Sequence, residues 1–354
     1  MNRGMYKGIL VTLVLFAIGL LCAVLVVSFV GGDEIAHALQ EFSPVLLLPV
    51  GVFLLLEILV STFRWKYILN ALGEKISLRA LLPIWMAGNA FNYLTPIALV
   101  GGEGIRVMML KRRFDISYHR GSASVLLDQI FNGLSVWPMV VIGLFVFTQQ
   151  LNLGDFNILI VVAFLFAIGL FLFLFLLLIQ ALRQKPLVKP LIRRFSLGHH
   201  KVSDFLVRME EEVISFRSLG LKLFWKGFFL SYLRQTIILL RTMFILNALG
   251  QGLIFKDALL SLSGVYVSYL VPVPLALGVQ ETSQATLFSI LDWGAGLGFS
   301  FSMLYRAAEL CIIFGGVMVL ASSVALVTGT MVSKVSSAHK EKSRKQTKKT
   351  EGQE

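Results

Sequence analysis

Apolar residues fall in long runs along this chain, and polar residues cluster between them. Six runs are long enough to cross a bilayer as helices, at about 8–30, 44–63, 121–147, 156–181, 223–247 and 302–330. Ala167–Gln180 reads AIGLFLFLFLLLIQ without apolar/polar alternation, which argues against a membrane β-barrel. Two further apolar stretches, 80–110 and 257–300, are interrupted by Pro and Gly. The first run, Gly8–Val30, follows the basic start MNRGMYK. It is too long for the apolar core of a cleaved signal, and no small-residue cleavage site follows, so it reads as an uncleaved span.

Composition agrees with this pattern. Hydrophobic residues make up 56% of the 354 residues and charged residues 15%, against about 25% charged in soluble proteins. A soluble domain, a disordered chain and a small disulfide scaffold are excluded. The net charge of +12 points to membrane orientation rather than nucleic acid, because Lys and Arg sit in short loops and the tail. Arg3 and Lys7 precede the first run; Arg64, Lys66, Lys75 and Arg79 follow the second; Lys111, Arg112, Arg113 and Arg120 precede the third. More lie in 182–226 and in 331–354, whereas loops 31–43 and 148–155 hold none and 248–257 holds only Lys256. Both termini are therefore expected in the cytoplasm, in a multi-pass protein of the cell membrane. Cys22 and Cys311 lie inside apolar runs, and the five histidines show no metal-ligand spacing, so neither metal nor cofactor is expected.

The basic residues on both sides of 80–110 place its two ends on one face of the membrane. Its halves, Ala80–Phe91 and Gly104–Lys111, are each too short to cross about 30 Å of hydrocarbon. A re-entrant helical hairpin follows, with its break in Asn92-Tyr93-Leu94-Thr95-Pro96-Ile97-Ala98-Leu99-Val100-Gly101-Gly102. The stretch 257–300 is its counterpart from the opposite face. Pro96 lies seven residues before Glu103, and Pro274 lies seven before Glu281, with Gly101 and Gly102 in the first turn and Gly278 in the second. An offset of 178 also carries span 44–63 onto 222–241 and 121–147 onto 299–325. Paired spans running in opposite directions predict an inverted repeat. The fold class is thus an all-α polytopic membrane protein, with about six full spans and two broken re-entrant hairpins; a hydropathy count alone reads seven or eight. Its expected units are a first half, 1–181; a basic, amphipathic cytoplasmic linker, 182–222; a second half, 223–330; and a disordered basic tail, 331–354. Within the linker, Val202–Phe216 has the spacing of an amphipathic interfacial helix.

Charges inside the membrane mark candidate sites, because each costs free energy unless it meets a partner or a cavity. They are Glu57, Glu103, Arg106, Asp128, Arg234, Arg241, Glu281, Arg306 and Glu309. Gly101-Gly102-Glu103-Gly104-Ile105-Arg106 opens the returning arm of the first hairpin, where helix N–H groups and Arg106 suit a phosphate. The alternative is a local Glu103–Arg106 pair. Arg234 and Arg241 share one helical face and suit an anion, or else pair with carboxylates such as Asp128 or Glu309. Arg306 and Glu309 are one turn apart and suit an internal pair. Glu57, with Arg64 two turns on, reads as structural. Arg106, Arg234, Arg241 and Arg306 are thus candidate headgroup ligands, and Glu103, Asp128, Glu281 and Glu309 candidate charge switches. No catalytic residue set is visible.

GNAFNYLTPIALVGGEGIRVMMLKRR, SASVLLDQIFNGLSVW, VPVPLALGVQE and MLYRAAELCIIFGG together resemble the lysylphosphatidylglycerol synthase transmembrane region, also called the flippase-like or uncharacterised 0104 family. The resemblance covers roughly residues 8–330. It gives Asn92, Pro96, Gly102, Glu103, Arg106, Pro272, Pro274, Gly278, Glu281, Tyr305 and Arg306 places in the family pattern. Departures are Leu126-Leu127 before Asp128, where the pattern has charges, and Leu-Ala-Leu-Gly after Pro274. The soluble aminoacyl-transfer domain is not expected here. The resemblance implies a lipid translocase for a phospholipid or polyprenyl-phosphate-linked molecule, with an anionic or zwitterionic lipid and lipid-modifying enzymes as partners and no nucleic acid. The alternatives are a membrane-embedded enzyme acting on a lipid phosphate and a scaffold for envelope or glycolipid assembly. No ATP-binding loop is visible, so a gradient or the substrate itself is the expected driving force.

Overall fold

The computed structural model describes residues 44–94, 101–150, 158–183, 201–215, 221–271, 273 and 276–319. The first predicted span, Pro96, Pro272, Pro274, the linker 184–200 and the tail lie outside the described residues. Among the described residues the regular elements are all helices. After a short turn, Pro44–Leu46, come α1 (Leu47–Ala71), α2 (Leu78–Leu94), α3 (Gly101–Phe114), α4 (Tyr118–Gln150) and α5 (Ile158–Arg183). Then follow α6 (Lys201–Ser215), α7 (Leu221–Ala248), α8 (Phe255–Ser268), α9 (Val279–Ile290) and α10 (Ala295–Val319).

Among the described residues four segments, Pro44–Ala71, Tyr118–Gln150, Phe224–Ala248 and Ala295–Val319, are long and apolar enough to cross a membrane. α5 carries a shorter apolar core, Val161–Leu176. The protein is an all-α, multi-pass membrane protein. Helix α1 runs eight residues past the predicted end at 63, because its interior accepts Arg64 as a buried side chain. α10 starts seven residues before the predicted 302.

The two interrupted stretches are broken helices. In the first, α2 and α3 have 17 and 14 residues, longer than the expected arms, because α2 continues through Asn92-Tyr93 and α3 through its basic end. At 1.5 Å per residue they reach about 26 and 21 Å, each short of the hydrocarbon thickness. They pack antiparallel: Gly88 lies against Gly102 and Arg106, and Asn92 against Gly102. A Cβ on Gly102 would overlap the Gly88 carbonyl, so only glycine lets the arms approach this closely. α8 and α9, with 14 and 12 residues, pair in the same sense through Gly264 against Gln284 and Leu287.

Three pairs of helices begin at nearly constant separations. Leu78 and Phe255 are 177 apart, Gly101 and Val279 are 178, and Tyr118 and Ala295 are 177. α1 and α7 pack antiparallel, since contacts pass from Phe53–Phe244 through Glu57–Arg241 and Ser61–Arg234 to Arg64–Ser231. Each hairpin also meets the long helix of the other half: Gly316 of α10 abuts Met86 of α2, and Gly143 of α4 abuts Ser263 of α8. One apolar core joins both halves and includes Trp65, Ile84, Leu110, Leu262, Phe288 and Phe301. α6 docks at the ends of α1 and α4, with Val213 packed near Ile68 and Leu72. Arg120 ties Glu74 to Glu212 there, at 2.8 and 3.1 Å.

Candidate functional site

Apolar helices bring charged side chains inward because a lone charge facing lipid is costly, and pairing lowers that cost. Most of the buried charges gather around Glu57 and around Asp128, with the buried Glu281 and the part-buried Glu103 holding one hairpin each. Glu57 of α1 is the first hub. Its Oε1 accepts from Arg234 Nη2 at 2.8 Å and its Oε2 from Arg241 Nη1 at 2.7 Å, both from α7. Arg241 Nη2 then reaches Glu309 Oε1 of α10 at 2.8 Å, and Tyr93 of α2 donates its hydroxyl to Glu309 Oε2. Arg234 also donates to Ser61 and to Asn132 of α4, each at 2.9 Å. The Arg241 guanidinium lies 4.8 Å from the Tyr305 ring centre, which stabilises its charge further.

Asp128 of α4 is the second hub. Arg64 Nε and Arg106 Nη1 reach its two oxygens at 2.7 and 2.9 Å, and all three side chains are buried. Arg106 also sits over Trp65 at 5.0 Å and Trp85 at 5.8 Å. On the second hairpin, Arg306 pairs with Glu281 at 2.6 Å and donates to the Ala276 carbonyl. Ala276 and Gly278 take positive φ values of 47° and 76°, which turn the chain into α9. On the first hairpin, Asn92 accepts from the Gly102 N–H and donates to Glu103 Oε1, so one amide ties the two arms. Gln129 of α4 donates to the same Glu103 oxygen.

A cavity of about 10 Å³ lies where the hairpins approach, lined by Tyr93, Tyr269, Gln280, Arg306, Glu309 and Ile313. It has room for roughly one water. Gln280 is 1% exposed, and among the described residues its Nε2 has no hydrogen-bond acceptor.

Residues 9–316 match the family model described as the lysylphosphatidylglycerol synthase TM region. The chain belongs to that family. It is 24% identical over 296 residues to a UPF0104 membrane protein of Pyrococcus horikoshii, covering 78% of this chain and 86% of the relative. It is 22% identical over 316 residues to a UPF0104 membrane protein of Methanothermobacter thermautotrophicus, covering 84% and 87%. A second protein of that name and organism is 31% identical over 127 residues, 36% of this chain and 37% of the relative. Within the family frame, the buried charges link both halves of the transmembrane region.

Arg234 and Arg241 share a face and converge on Glu57, and Arg241 also meets Glu309. The other expected pairings change. Glu103 bonds amides, not Arg106, which reaches Asp128 on the neighbouring helix. Arg306 and Glu309 pair with different helices rather than each other. Glu57 and Arg64, expected as a structural pair near a helix end, belong to two different hubs. One spacing recurs among these charges: Glu57 and Arg234 are 177 apart, as are Arg64 and Arg241, and Asp128 and Arg306 are 178 apart. Gly101 and Gly102 open α3, and Gly278 caps α9, at the expected turns.

Proposed function

We propose that this protein is a lipid translocase, moving a phospholipid or polyprenyl-phosphate-linked lipid across the cell membrane. The observation that carries this reading is the paired charge set inside the helices: Arg64, Arg106, Arg241, Arg306 and the part-buried Arg234 held by Glu57, Asp128, Glu281 and Glu309, with the part-buried Glu103 tied to amides. Paired charges lose their partners at high cost, but a headgroup carrying its own phosphate can replace one partner with another. Arg106, Arg234, Arg241 and Arg306 are the headgroup ligands in this reading, and Glu103, Asp128, Glu281 and Glu309 the groups that switch. The acyl chains stay in lipid while the headgroup passes between the halves.

The constant helix offsets and the antiparallel α1–α7 contact support an inverted repeat with two re-entrant hairpins, and the Lys/Arg distribution supports cytoplasmic termini. Cysteines placed at Lys75 and Lys111, on either side of the first hairpin, are then protected together from an impermeant thiol reagent added outside. Labelling of Lys111→Cys alone would make α2–α3 a span and remove the re-entrant arrangement.

Transport is tested in proteoliposomes with headgroup-varied, fluorescently labelled lipids and an external quencher. Glu103→Gln and Glu281→Gln keep side-chain shape, and each is expected to slow lipid movement at least tenfold, about 1.4 kcal/mol of barrier, with the protein inserted. The double variant loses less than the sum, because both changes block one cycle. Near-normal movement by the double variant would leave the two hairpins as architecture only.

A further inference from the structure

The pairing of the buried charges reaches the cavity. Its wall carries one guanidinium, Arg306, and one carboxylate, Glu309. Gln280 adds a buried N–H donor without an acceptor among the described residues, at the start of α9, where backbone N–H groups favour negative charge. The wall therefore fits an anionic oxygen on one side and opposes it with Glu309 on the other. We propose that Glu309 takes up a proton as an anionic lipid phosphate enters beside Arg306 and Gln280, so that lipid and proton occupy the site together. This rests on the translocase reading and adds its coupling ion.

The choice of Glu309 follows from what each carboxylate holds. Glu57 and Asp128 each bridge two arginines. Protonating either leaves two guanidiniums facing one another. Glu281 is fully buried and holds Arg306 itself. Glu309 holds only Arg241, which keeps Glu57 when Glu309 is neutral. The groups around Glu309 are Tyr93 from α2, Arg241 and Arg234 from α7, and Tyr305 and Arg306 from its own helix. Tyr269 follows α8, Gln280 belongs to α9, Glu281 faces it through Arg306, and Glu57 and Tyr266 lie behind the two α7 arginines. Protonation removes the one carboxylate on the cavity wall and leaves each buried arginine a carboxylate partner. The proton comes from water at the cavity mouth and the lipid brings its own negative charge, so the site's net charge is unchanged. At about 10 Å³ the cavity holds a water but not a phosphate, so entry also requires the hairpins to part.

The test uses purified protein in detergent, in weak buffer with a pH-sensitive dye, titrated with dihexanoylphosphatidylglycerol. Proton uptake is expected in step with binding, and affinity is expected to fall roughly tenfold per pH unit once Glu309 is ionised. Glu309→Gln keeps an acceptor for Arg241 and is expected to bind without proton uptake and without pH dependence. Glu74→Gln, at the Arg120 contact away from the cavity, keeps the uptake. Binding without proton uptake in the native protein, uptake that persists in Glu309→Gln, or no binding of the lipid would each overturn the proposal. Binding with proton uptake but without transfer of fluorescent phosphatidylglycerol across vesicles would instead sink the translocase reading and leave the proton site standing.

Discussion

Replacing Glu57 with leucine is expected to destabilise the folded protein by about 3–5 kcal/mol, the cost of removing one partner from a buried ion pair. Glu57 accepts from Arg234 and Arg241 at 2.8 and 2.7 Å and is 3% exposed. Arg241 retains Glu309, but Arg234 is left with neutral partners, Ser61, Asn132 and Gln235. A guanidinium cannot discharge by losing its proton, so the excess charge stays. The damage also falls on the α1–α7 contact that joins the two halves. Thermal unfolding in detergent, with the monodisperse fraction after purification, reads the effect. Glu103→Leu is the comparison, because Asn92 and Gln129 are neutral and the change leaves no arginine exposed to it. Equal melting of the Glu57→Leu variant and the native protein would show that the other partners suffice for both arginines.

Much of the architecture was legible because it depends on patterns along one segment. The run at 121–147 needs only length and hydropathy to be α4, and two Pro/Gly breaks need only the thickness of a membrane to become paired short helices. The identity of each ion pair depends on which helices touch, and a single helix carries no record of that. Arg234 and Arg241 show their shared face, but Glu57 waits on α1, 177 residues before Arg234. Arg64 looked like a boundary marker because hydropathy falls there, while the helix continues to Ala71 and α4 supplies Asp128. Tyr93 and Gln280 gave no sequence signal, since an uncharged polar residue beside a turn is ordinary until a cavity is seen next to it.

In each hairpin the second arm is tied to the long helix that follows it by one ion pair, with the charges exchanged between arm and helix, and this predicts unequal responses to neutralisation. Asp128 of α4 meets Arg106 of α3, whereas Arg306 of α10 meets Glu281 of α9. Asp128→Asn removes the carboxylate and leaves Arg64 and Arg106 buried beside the same amide. Neither can shed its charge, and the expected loss is about 3–5 kcal/mol. Arg306→Gln leaves Glu281, which can become neutral by taking a proton, so its cost is limited to that protonation and the lost hydrogen bonds. Adding Arg106→Gln to Asp128→Asn removes one of the two stranded guanidiniums and should recover part of the loss, because Arg64 still lacks a carboxylate and the contacts with Trp65 and Trp85 go as well. The double variant is therefore expected to melt above the Asp128→Asn single variant, and Arg306→Gln above both. A double variant less stable than Asp128→Asn would mean that Arg106 stabilises α3 mainly through its tryptophans, and that the charge on Asp128 matters less than its shape.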